Sequence, residues 1–133
     1  TNEQKKKILD VVRQELLTPR GIRTLSPKNA QYKSVYKGNI EARDLAYHQG
    51  TAWPWLLGAY AESYLKLYGK SGLADIKKIV AGFEDEMKTH GIGSISELYN
   101  GDPPHHGKGT ISQAWSVAEM RRIIWLIEKT EKE

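Results

Sequence analysis

The sequence predicts an all-α fold made of two αα-hairpins. Three observations lead there. Four segments, at about 2–17, 51–68, 72–88 and 111–128, carry apolar residues at helical spacing. Amphipathic segments, the first and third, alternate with more uniformly apolar ones, the second and fourth. The two long aperiodic stretches, 18–51 and 90–111, each follow an amphipathic helix and lead into an apolar one, so both fall on one rim and face one another.

Residues 2–17 place Ile8, Val11, Val12, Glu15 and Leu16 at helical spacing, behind Thr1 or Asn2 as a cap, and stop at Thr18, Pro19 and Gly21. Thr51 is read as the cap of the second helix, with Pro54 in its first turn and Gly69 at its end. Its Trp53, Leu56, Leu57, Tyr60, Tyr64 and Leu65 leave little polar surface before Lys66. The third helix shows Leu73, Ile76, Ile79, Val80, Phe83 and Met87 on one side and charges on the other. Ala114, Trp115, Val117, Ala118, Ile123, Ile124, Trp125 and Ile127 make the fourth apolar almost all round, which predicts a buried helix.

The chain has 133 residues, enough for one domain with a core, and a net charge of +4. Its lysines are scattered among Asp and Glu, and no basic stripe carries interleaved aromatics, so the charge does not indicate nucleic acid. There is no cysteine and no apolar run fit for a membrane span or a signal peptide, so the expectation is a cytoplasmic protein without membrane contact. Phosphate-loop, nucleophile-elbow and cysteine-nucleophile motifs are absent, and no cofactor is expected. His105 and His106 lie near Asp102, but adjacent histidines point apart and no third ligand has a suitable spacing, so no metal is expected either.

The chemistry concentrates in Gly91 to Trp115, GIGSISELYNGDPPHHGKGTISQAW. One of its two acids, Glu97, sits in a small-residue turn. Pro103 and Pro104 stiffen the return of the loop, and Tyr99, Trp115 and the paired histidines supply aromatic planes and hydrogen-bonding groups. Flat apolar faces, hydroxyl partners and one acid are the materials of a sugar-cleaving pocket.

This stretch, together with LLTPRGIRTLSP at 16–27 and RDLAYHQGTAWPWLLGAY at 43–60, resembles the C-terminal part of the glucosidase domain of glycogen debranching enzymes, the amylo-α-1,6-glucosidases. The resemblance covers nearly the whole chain. It implies an (α/α)6 barrel similar to glucoamylase, of which residues 1–133 form about one third, as a C-terminal fragment of a six-hairpin domain. It also implies an α-glucan partner, glycogen or a branched dextrin. The remainder of the barrel is a further implied partner, and a fragment cut this way is expected to self-associate through its uncovered flanks.

Inverting hydrolysis needs an acid to protonate the leaving oxygen and a base to activate water, about 6.5 to 9.5 Å apart. The family places its base in a Ser-x-Ser-Glu turn before the last inner helix, and Ser94, Ser96 and Glu97 match it, with Tyr99 two residues on. Glu97 is therefore the expected catalytic residue. The acid is expected from chain outside this segment, which leaves the isolated chain inactive. By the same resemblance Tyr47, His48, Gln49, Trp53 and Trp55 line sugar subsites, with one tryptophan toward the pocket and the other into its wall. Gln113 and Trp115 flank them at the start of the last helix. Asp44 is read either as a structural partner of Arg43 or as a hydroxyl acceptor, and Arg23 as an anchor for a loop carboxylate or a sugar hydroxyl. Two alternatives remain: a non-catalytic helical module for carbohydrate binding or oligomerisation, and a glucosidase of the same fold acting on another α-glucoside such as trehalose.

Overall fold

The computed structural model describes residues 1–133 and corrects the all-α expectation. Helices α1 (Asn2–Val11), α2 (Ile40–Tyr47), α3 (Leu56–Tyr68), α4 (Leu73–Ala81), α5 (Glu86–Thr89) and α6 (Ala114–Lys132) are joined by five short strands. These are β1 (Leu17–Thr18), β2 (Gly21–Arg23), β3 (Ala52–Trp53), β4 (Ser96–Tyr99) and β5 (Gly107–Ile111). They form one antiparallel sheet in chain order, β1-β2-β3-β4-β5.

The reason for the sheet is the fate of backbone polar groups. The two long aperiodic stretches pass beneath the helices, where their N–H and C=O groups must be paired, and a ladder pairs them. Strands of two to five residues are too short to show a period of two. The pairs Ile22↔Trp53 and Ala52↔Tyr99 carry the sheet from the first stretch into the second. β3 falls inside the expected second helix, and the two stretches meet directly through hydrogen bonds, Gly101 N–H to Ser34 O at 2.7 Å and Tyr36 N–H to Asn100 Oδ1 at 3.1 Å.

Helix boundaries move for local reasons. Thr1 and Gln4 form a reciprocal cap on α1, whose last turn widens over Val12–Leu16 before Leu17 becomes extended. Thr51 does not cap α3. Its hydroxyl donates to Tyr47 O, 2.7 Å, and α3 begins only after the β3 strand and the Pro54 turn. The helix expected over 72–88 breaks after Ala81, where Gly82 packs against Pro19 O and Phe83 turns fully inward.

α3 packs on α1 and α6, and α4 on α6. The core joins Leu57, Ala61 and Leu65 of α3, Ile76 of α4, and Met120, Ile123 and Ile127 of α6 to Ile22, Ala52 and Tyr99 from the sheet. α6 buries only one stripe and leaves Trp115, Val117 and Trp125 exposed, so it is not the all-round buried helix its composition predicts. No helix is long and apolar enough to cross a membrane.

Candidate active site

Glu97 lies on β4, not in a turn, and is 7% exposed. Between the pairs Ser96↔Ile111 and Leu98↔Lys108, one residue of β4 faces two of β5, Gly109 and Thr110. This is a β-bulge, a device that re-aims side chains beside functional sites. Gly109 supplies the left-handed backbone (φ +73) that the bulge needs, and a Cβ there would stand 2.3 Å from Glu97 Oε2. The bulge turns Thr110 toward the acid, so that its N–H donates to Glu97 Oε2 at 3.0 Å and its hydroxyl reaches the same oxygen at 3.4 Å. The other oxygen, Oε1, accepts from the Tyr47 hydroxyl. Burial first, then the hydrogen bond to Glu97 and its charge, hold the Tyr47 phenol far above the usual tyrosine value.

Tyr47 in turn is fixed by aromatic packing. Its ring meets Trp53 edge-on at 4.7 Å, His48 at 4.7 Å and Tyr36 at 5.6 Å. Trp53 is 1% exposed and donates its indole N–H to Tyr47 O and Thr51 Oγ1, which places it in the wall. His48 stacks on Trp53 from the solvent side at 5.2 Å. Trp55 is half-buried and stacks on Trp115 at 5.2 Å, and Trp115 meets Trp53 edge-on at 6.1 Å. One continuous aromatic group thus runs from Tyr36 through Tyr47 and Trp53 to Trp115 and Trp55, with the acid bonded to its second member.

The other expected site residues fall elsewhere. Arg23 donates to two backbone carbonyls, Gly101 O at 2.8 Å and Glu15 O at 3.3 Å, and so ties β2 to the loop after β4. Asp44 is exposed on α2 without an ion pair, and Arg43 lies over Tyr36 instead, 6.0 Å from the ring centre. Gln49 uses its amide on Gln31 at 3.4 Å. Gln113 precedes α6 and makes no side-chain cap bond. His105 is buried on Asn100 O at 2.9 Å while His106 is exposed, and no group of three or more His, Cys, Asp or Glu converges as a metal site would.

The sequence offered no signal for the role of Thr110, since a bulge depends on pairing that spacing does not reveal. It also left Glu86 unnoticed. This buried acid has one oxygen 3.9 Å from Arg20 Nε and the other without a partner.

The buried phenols set an alkaline limit on stability. Burial pushes Tyr99 up to about 12, and burial with the Asp75 hydrogen bond does the same for Tyr64. A folded value above the unfolded one, 10.0, means that this stability is complete below pH 10.0 and is lost as pH rises toward about 12. For fully buried Tyr99 the loss is about 3 kcal/mol. Ultraviolet difference titration should show Tyr47, Tyr64 and Tyr99 ionising together with loss of the helical circular dichroism. Ionisation of all seven tyrosines near pH 10, with the fold intact, would contradict this.

The sequence pattern of the amylo-alpha-1,6-glucosidase family matches residues 1–122. Over 71 residues the chain is 30% identical to the glycogen debranching enzyme of Saccharomyces cerevisiae, a match covering 49% of this chain. The chain spans about 5% of the length of that curated relative. The family match takes in Tyr47, Glu97, Thr110 and the aromatic group that holds them, and with that extent the chain belongs to the amylo-alpha-1,6-glucosidase family.

Proposed function

We propose that this chain is part of a glycoside hydrolase that cleaves α-1,6-linked glucose stubs from glycogen or limit dextrin with inversion, using Glu97 as general base. The observation that carries this reading is a buried carboxylate held on both oxygens beside an aromatic rim. A carboxylate offers about four lone-pair sites. The Tyr47 hydroxyl and the N–H and hydroxyl of Thr110 use three. One remains to take a proton from water as that water attacks the anomeric carbon. Fixing the acid beforehand means that little reorganisation is needed at the moment of reaction. Trp55 and Trp115 are accessible planes on which a pyranose can stack, and the exposed edge of His48 can bond a hydroxyl.

The proton donor for the leaving oxygen is proposed to come from chain outside this segment, so the segment alone is inactive. The test is hydrolysis of an α-1,6-branched limit dextrin by a full-length protein carrying this segment, followed by proton NMR during the first turnovers. Release of β-glucose, mutarotating later to the α anomer, is expected. Initial release of α-glucose, or turnover by the isolated segment, would overturn the respective part of the proposal.

A further inference from the structure

Beside β5 lies an open depression of about 420 Å³ whose lining includes Lys37, Arg43, His90, Lys108, Gly109 and Tyr36, the first member of the aromatic group. Three permanent cations line it, and no carboxylate does. None of the three is in an ion pair. Two buried acids lie behind the lining: Glu97, held by Tyr47 and Thr110, and Glu86, with one oxygen 3.9 Å from Arg20 Nε and the other beside Gly107 without a partner.

Arg43 carries the argument. Its guanidinium lies over the Tyr36 ring, its Nε is buried without any acceptor, and only its backbone N–H is bonded, to Asn39 O at 3.1 Å. A buried donor without a partner costs about 1–3 kcal/mol, more for a charged group. Like charges gathered round one depression add to that cost. A bound anion on the terminal guanidinium nitrogens and the two lysines removes the second of these penalties. Guanidinium presents its donors as a flat fork that fits a tetrahedral oxyanion on two oxygens, while Lys37 and Lys108 add point charges from either side. The depression is open to solvent, so a ring carrying the oxyanion can lie outside it.

We infer that this depression binds a phosphate group, presented as a sugar phosphate ester or as free phosphate, at a subsite that shares Gly109 with the surroundings of Glu97. The inference does not depend on the glucosidase reading, because the binding needs no hydrolysis.

The test is titration of the 133-residue chain with glucose 6-phosphate, inorganic phosphate and glucose at low salt, followed by backbone amide NMR. Both phosphates should give saturable shifts at Lys37, Gly38, Arg43 and Lys108, which added salt weakens. Glucose at the same concentration should give none there. Tighter binding of glucose 6-phosphate supports recognition of the ester, and equal affinities support recognition of phosphate alone. Arg43→Gln should weaken binding about tenfold or more while keeping a dispersed, folded spectrum. Lys108→Gln, whose wild-type ammonium makes no ion pair, repeats the test should Arg43→Gln disturb the fold. Glu97→Gln should not weaken it, which separates this site from the hydrolytic reading. Equal shifts from glucose and its phosphate, or wild-type affinity in both charge-removing variants, would overturn the inference.

Discussion

Glu97→Gln should lower the rate of glucose release by a full-length protein carrying this segment by about 10²- to 10⁴-fold, the range that general-base help supplies. The amide keeps the shape of the side chain but cannot take a proton from water. Its NH2 end can donate to the Tyr47 hydroxyl, which accepts as well as donates, while its oxygen keeps the Thr110 N–H. Charge-assisted bonds thereby become neutral ones, a loss of about 1 kcal/mol, too little to unfold a domain. The loss should appear in kcat with KM nearly unchanged, because the aromatic planes that hold the sugar are untouched. A thermal midpoint within a few degrees of wild type shows that the lost rate belongs to the chemistry. A loss of only severalfold would argue against the base role.

Gly21→Ala should destabilise the chain by about 2–4 kcal/mol. Gly21 has φ +153, and an added Cβ would meet the Trp53 backbone at 2.6 to 2.8 Å on the neighbouring strand. A backbone wall cannot rotate away as a side chain can, so β2 and β3 must part. Trp53 then shifts, and with it the carbonyl and ring contacts that fix Tyr47 against Glu97. Gly93→Ala is the control: φ is +79, but nothing lies within 4 Å, so only backbone strain of about 1–2 kcal/mol is expected. Chemical denaturation followed by circular dichroism separates the two. A Gly21→Ala variant as stable as the control would mean that β2 and β3 are not paired as described.

Long apolar periods made α1, α3, α4 and α6 legible, because a face repeated over three turns survives small errors of phase. The meeting of the two rim stretches was legible as well, from the order of amphipathic and apolar segments alone. The sheet was not, since Leu17–Thr18 and Ala52–Trp53 are two residues each and owe their conformation to partners distant in sequence. The break at Gly82 was hidden because Phe83 and Met87 continue the apolar period across it while the backbone does not.

Glu97 stood out as an acid among small residues ahead of a loop of glycines, prolines and aromatics, and the motif around it carried its proposed role. What the motif could not show is how the acid is held. Tyr47 read as a subsite residue, yet its hydroxyl is spent on Glu97. Thr110 carried no mark at all, since its contact exists only because β5 has one residue more than β4 across the bulge. Trp53 and Trp55, two apart, were expected to diverge, and they do: the first is in the wall and the second stacks outward on Trp115.

The central claim, that Glu97 stands where water attacks the sugar, is tested most directly by supplying azide to a full-length Glu97→Ala variant and identifying the products by NMR. Azide needs no base and fits the space freed by the side chain. It should form the C–N bond from the face opposite the breaking glycosidic C–O bond while the proposed acid protonates the leaving oxygen, giving β-glucosyl azide from an α-linked substrate. Glucose release within severalfold of wild type, unchanged by azide and without a glucosyl azide product, would contradict the account.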